Sequence, residues 1–184
     1  SFVVVRDAEV KRQLAALYRK ASDYAMAVYA TRPKPEHLSD EQYRQFLANS
    51  GHLWDHLAEA PVILVACLTK RDPPERATLP EVVQARYDAH LANTLRISGS
   101  SIYPAIQNII LACRALGLGT VITTNHILYE DEVKAVLGIP DDFDTYALIP
   151  LGYPRDKFGP LRRRPVEEVT YLDALQLVAI DTPA

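Results

Sequence analysis

Residues 112 to 126 read ACRALGLGTVITTNH, and the last four, Thr123, Thr124, Asn125 and His126, all carry hydrogen-bonding side chains. They close an edge built from Val121 and Ile122, a placement that suits a planar polar ligand. Gly117 and Gly119 come just before them, two of the chain's seven glycines. A helix C-cap and a tight turn into a strand account for that pair. A dinucleotide-binding fingerprint would set its glycines ahead of a helix, and that order is absent here.

A second group is cationic. Arg155, Lys157, Arg162, Arg163 and Arg164 lie close together in a chain of formal net charge -3. Such a run is either a solvated face or, with three adjacent arginines before Pro165, a phosphate site. Guanidinium groups bind phosphate oxygens two at a time.

Other candidates have plainer accounts. His52 and His56 stand one helical turn apart with Glu59 a turn further on, a spacing that can hold a metal. The zinc-protease pattern needs Glu directly after the first His, and Leu53 stands there. The two histidines read as a solvent-facing pair. Cys67 in PVILVACL and Cys113 in NIILACRAL sit in apolar runs, as buried free thiols do. Ser100 and Ser101 read as helix caps, and Asp141, Asp142 and Asp144 as a solvated turn. No catalytic dyad emerges.

These residues need elements to hold them. Residues 2 to 5, FVVV, read as a buried strand. Asp7 caps a helix from Ala8 to about Tyr29. The prolines of TRPKPEH end it. Ser39 with Gln42 forms a capping box whose helix stops at Gly51, with one or two further turns over 52 to 59. PVILVACLTK is a central strand, apolar on both faces. Thr78 with Glu81 opens another helix through a capping box. Tyr103 to Leu116 predicts a helix buried nearly all round. A short helix spans Glu130 to Leu137, YALIPLGY is the last strand, and the tail FGPLRRRPVEEVTYLD is extended. The pattern is α+β.

Totals bound the function. The chain has 184 residues, of which 48% are hydrophobic and 23% charged. That is enough for one substantial domain with a real core. A net charge of -3 opposes nucleic-acid binding. The run VILVACL is far shorter than the roughly 20 residues that cross a bilayer, and FVVV is followed at once by Arg6 and Asp7, which is no signal peptide. No membrane association and a cytoplasmic location are expected. The chain opens on Ser1 and runs straight into a β-branched segment, which suggests a piece preceding it.

In order, SIYPAIQNIILACRALGLGT, TVITT, LIPLGYP and RRRPVEEV resemble the FMN-dependent nitroreductase family, including its iodotyrosine-deiodinase-like branch. The resemblance implies a mixed central sheet flanked by helices, in an intertwined homodimer with FMN in two interfacial pockets. Residues 1–184 would form one domain, with 165–184 a tail reaching the partner subunit. The Tyr103 to Leu116 helix would be dimer core. Val121, Ile122, Thr123 and Thr124 would lie against the isoalloxazine, with a hydrogen bond to its N5, and Arg163 would bind the phosphate. The family's Arg-Arg-Ser and Ser-x-x-Asn flavin segments would precede Ser1.

The implied activity is a ping-pong reduction. NAD(P)H reduces FMN and leaves, and an electron-poor small molecule such as a nitroaromatic or quinone is then reduced. The flavin carries the redox chemistry, so no protein acid or base is obligatory. Tyr29, Tyr43, Phe46 and Trp54 offer stacking surface in a substrate lid or pack into the core. The alternatives are specialised flavin chemistry, such as reductive dehalogenation or flavin cleavage, and a flavin-free ligand-binding dimer.

Overall fold

The computed structural model describes residues 1–36, 38–155 and 163–173. The chain divides into two compact units, Ser1–Tyr153 and Pro154–Ala184, each taken by itself. In the first, four strands form a sheet in the order β1 (Phe2–Val5), β2 (Val62–Thr69), β4 (Phe143–Gly152), β3 (Gly119–Thr120). All three strand pairings among the described residues are antiparallel. Among the described residues six α-helices accompany it: α1 (Ala8–Ala30), α2 (Asp40–His56), α3 (Glu81–Gln84), α4 (Tyr87–Ile97), α5 (Ile102–Ala115) and α6 (Glu130–Leu137).

The sheet is covered on both faces, and β2 explains how. Its Ile63, Val65 and Cys67 point to one layer, where Leu14 and Tyr18 of α1 and Val133 of α6 pack. Its Ala66 points to the other, against Ile102 and Ile106 of α5. Alternate side chains of a strand take opposite faces, so a strand between two helical layers must be apolar throughout. β2 is central, as its composition requires. β1 is not buried: it lies at the sheet edge, where Phe2 is 38% and Val4 59% exposed and only Val5 is fully covered.

Caps set the helix starts where the sequence names them. Asp7 accepts from the N–H groups of Glu9 and Val10 at 2.9 and 3.0 Å. Ser39 and Gln42 complete a reciprocal capping box. Three expectations fail for physical reasons. α2 does not stop at Gly51 but continues to His56, because Leu53 and Trp54 pack against the core cluster. That burial outweighs a glycine's helix cost of about 1 kcal/mol. Thr78 opens no helix. Leu79 is extended, as a residue before proline prefers to be. α3 then starts at Glu81 with no side-chain cap, and the Thr78 hydroxyl donates to the Glu75 carbonyl at 2.8 Å. Ser101 stands at the start of α5 but its hydroxyl caps nothing, since a 3-10 turn, Ser98–Ser101, runs directly into the helix.

α5 also departs from expectation. Ile102, Ile106 and Cys113 are buried, yet Leu111 is 57% and the following Leu116 72% exposed in the single chain. Its apolar surface exceeds what one sheet can cover. No helix of the described residues is long and apolar enough to cross a membrane. In the second unit, the described residues 163–173 are exposed and hold a 3-10 turn at Val166–Glu168 rather than an extended run.

Candidate functional site

The polar stretch after α5 is placed by a helix stop and a proline. Gly117 takes φ +76°, a left-handed conformation open to glycine. Its N–H donates to the Arg114 carbonyl at 3.2 Å, and the Leu118 N–H reaches back to Cys113 at 2.8 Å. This Schellman closure satisfies the last carbonyls of the helix and reverses the chain. The chain then enters β3, where Gly119 and Thr120 pair with Gly152 and Leu151.

The same register resumes at Thr123, which exchanges both backbone hydrogen bonds with Leu148 at 3.0 and 2.9 Å. Between these points Val121 faces Pro150. Alternation from the Thr123–Leu148 pair makes this another hydrogen-bonded position, but proline has no N–H to give. The ladder therefore lapses. Among the described residues, the backbone N–H and C=O groups of Val121 and Ile122 find no partner. Their side chains are 44% and 39% exposed. The missing proline donor faces β3 and not β2, so the central pairing of β4 is intact.

The four polar residues split. Thr123 turns inward, its hydroxyl 2.8 Å from that of Tyr18 on α1. Burial raises the Tyr18 phenol, against hydrogen bonds with Thr123, Ser22 and the Trp54 side chain. His126 is fully buried, its Nε2 3.1 Å from the Thr145 hydroxyl. Thr145 gives its proton to Glu130 at 2.7 Å, so His126 donates from Nε2. Its Nδ1 has no hydrogen-bond partner among the described residues. Burial pushes the imidazole down to about 4, with Glu130 pulling the other way. Thr124 and Asn125 instead line a cavity of about 450 Å³ between α1 and the 3-10 turn Asn125–Tyr129.

The remaining candidates resolve locally. His52 and His56 have ring centroids 4.4 Å apart, and His56 Nδ1 lies 2.6 Å from Glu59. Cys67 and Cys113 are free and buried. Lys134 donates to the Asp141 carbonyl at 3.2 Å. Of the aromatic residues considered for a lid, Trp54 packs against the core, Tyr43 and Phe46 stack on each other at 6.4 Å, and Tyr29 lines the cavity. Arg155, Arg163 and Arg164 are exposed in the second unit, while Lys157 and Arg162 lie outside the described residues.

Sequence reasoning brought Val121 to Thr124 to one segment and missed what surrounds it. Tyr18 reads as one more apolar position on a helix face, with nothing to mark its hydroxyl as the anchor of Thr123. Arg32 reads only as part of a proline-rich break, yet it reaches the cavity from just beyond the end of α1.

The fold, though not the site, can be compared with known proteins. No curated protein matches the chain. Among solved structures the fold is similar to a BluB-like flavoprotein from Clostridium difficile, at 22% identity and TM-score 0.65 over 94% of this chain and 78% of that one. It is also similar to iodotyrosine deiodinase bound to FMN and 3-iodo-L-tyrosine, at 20% identity and TM-score 0.58 over 90% and 72%. Nitroreductase A from Vibrio parahaemolyticus shares 19% identity at TM-score 0.59; 97% of this chain aligns, spanning 58% of the longer protein. Residues 1–153 match the description Nitroreductase family, and the chain belongs to that family of flavin oxidoreductases.

Proposed function

We propose that the chain is an FMN-dependent oxidoreductase that uses NAD(P)H to reduce an electron-poor small molecule, a nitroaromatic, a quinone or a related acceptor. One observation carries this within the family: the lapse of the β3–β4 ladder at Pro150. The lapse frees the backbone of Val121, and the backbone of Ile122 points away from β4 at the sheet edge. Both residues are partly exposed, so one short segment carries apolar side chains together with unclaimed backbone donors and acceptors. An isoalloxazine asks for that combination, an apolar surface under its face and hydrogen-bonding groups at its heteroatom rim. The residues present fit the cofactor.

When bound, FMN supplies the redox chemistry. The chain holds and orients. Val121 and Ile122 keep water from one face of the ring, their backbone groups address the rim, and Thr124 adds a hydroxyl at the cavity side. Thr123 acts from behind: with its backbone on Leu148 and its hydroxyl on Tyr18, it fixes the segment instead of contacting the ring. Arg163 is assigned to the phosphate, since a planar guanidinium matches two phosphate oxygens. His126 is no acid or base for this reaction, being neutral and turned into the core.

The active form is a homodimer in this reading. Leu111 and Leu116 supply an apolar surface that a second copy would bury, and the tail 165–184 would reach the partner. Free thiols at Cys67 and Cys113 fit the cytoplasm. The test is the visible absorption of the purified chain with FMN. Flavin bands that bleach on adding NADH or NADPH support the proposal; a chain that takes up no FMN removes it.

A further inference from the structure

The cavity beside Thr124 has a chemistry of its own. Its volume is about 450 Å³, room for a molecule of one or two rings. One wall is a face of α1 on which Ala21, Ala25 and Val28 follow one another at helical spacing. Short side chains there are what leave the space open. Opposite them stand Ile127 and Leu128, apolar yet 42% and 50% exposed. Two apolar walls suit a flat apolar body.

Polar groups also join the lining, among them Thr124 and Asn125, which follow Val121 to Thr123 directly in the chain. Elsewhere on the lining, the guanidinium of Arg32 lies over the ring of Tyr29, 5.9 Å from its centroid. Arg32 is the one charged side chain among the described residues of the lining, and no carboxylate joins it. Of the surface arginines, Arg12, Arg19 and Arg44 are matched by acids, Glu9, Asp23 and Glu41, whereas Arg6 and Arg96 make no ion pair with a described residue. Arg32 makes no ion pair with a described residue. Stacking on Tyr29 pre-orients its planar fork without using its donors.

We infer that this cavity receives the acceptor, and that the acceptor is an aromatic acid whose anionic group is held by Arg32 while its ring lies between α1 and Ile127. The acceptor role rests on the oxidoreductase reading above. With 4-nitrobenzoate as the probe, the nitro group takes two electrons and two protons to give the nitroso compound and water. NAD(P)H is oxidised in balance, with the second proton drawn from solvent.

The experiment is equilibrium dialysis of the full chain against 4-nitrobenzoate and against neutral 4-nitrobenzamide, with an FMN titration on the same samples. Wild type and the surface control Arg44→Gln are expected to hold the acid about tenfold more tightly than the amide. Arg32→Gln loses that preference, Arg32→Glu inverts it, and added salt weakens the acid alone. A preference that survives Arg32→Gln, or wild type that holds both probes equally, overturns the inference while leaving an FMN-binding, NAD(P)H-bleached protein an oxidoreductase. A chain that binds no FMN overturns both, and the titration tells the two failures apart.

Discussion

The hydroxyls of Tyr18 and Thr123 lie 2.8 Å apart in the interior and tie α1 to the segment beside β3 across 105 positions of sequence. Both residues are buried, so each hydroxyl depends on the other, whichever of the two donates. Tyr18→Phe would leave the buried Thr123 hydroxyl without that partner. A stability loss of about 1–3 kcal/mol is expected, read as a lower urea midpoint. An unchanged midpoint would mean that the bond contributes nothing.

His126 links stability to pH. Its folded value of about 4 lies below the ordinary 6.5. Between those values the unfolded chain binds a proton that the folded chain refuses. Stability is therefore whole above about pH 6.5 and falls as pH drops toward about 4, by about 3 kcal/mol in all. Urea midpoints measured at neutral and at mildly acidic pH should draw together in His126→Gln relative to wild type. Equal acid losses in both proteins would assign the effect to other groups.

Removing the guanidinium in Arg163→Ala should weaken FMN binding roughly tenfold, through loss of charge-assisted contacts. Arg163→Lys should fall between, because it keeps the charge and loses the two-pronged geometry. Quenching of flavin fluorescence gives the affinities. Wild-type affinity in the alanine variant takes Arg163 out of the phosphate site.

Leu111 is 57% exposed on α5. If a second copy covers it, Leu111→Glu places an uncompensated charge in an apolar interface, and the variant should sediment as a monomer where wild type sediments as a dimer. Circular dichroism checks that the variant is folded. Wild type sedimenting as a monomer at the same concentration would end the dimer proposal.

Much of this was written in local signals. Asp7 and the Ser39–Gln42 pair mark helix starts because an orphan N–H needs an acceptor within a few residues. Gly117 marks a stop because few other residues take the left-handed φ found there. β2 reads as central because both of its faces meet apolar layers. Where packing and chain stereochemistry competed with the signal, they won: Leu53 and Trp54 carried α2 through Gly51, and Pro80 undid the cap expected at Thr78.

The segment from Val121 to His126 divides along the same line. Its residue types, its place after a glycine stop and its family resemblance are properties of the sequence. Which side chains turn inward is not. Thr123 and His126 are buried because Tyr18, Thr145 and Glu130, distant along the chain, offer them partners. Val121 keeps its backbone groups because Pro150 sits opposite on β4, and Ile122 because its groups point outward from the edge of the sheet. Arg32 meets Thr124 at one cavity only because α1 packs against the turn that follows. By itself the sequence determined the elements and the kind of protein, since capping, turn chemistry and periodicity act over a few residues. Only the tertiary structure decided the site, since hydrogen bonds and register between remote strands and helices exist once the chain has folded.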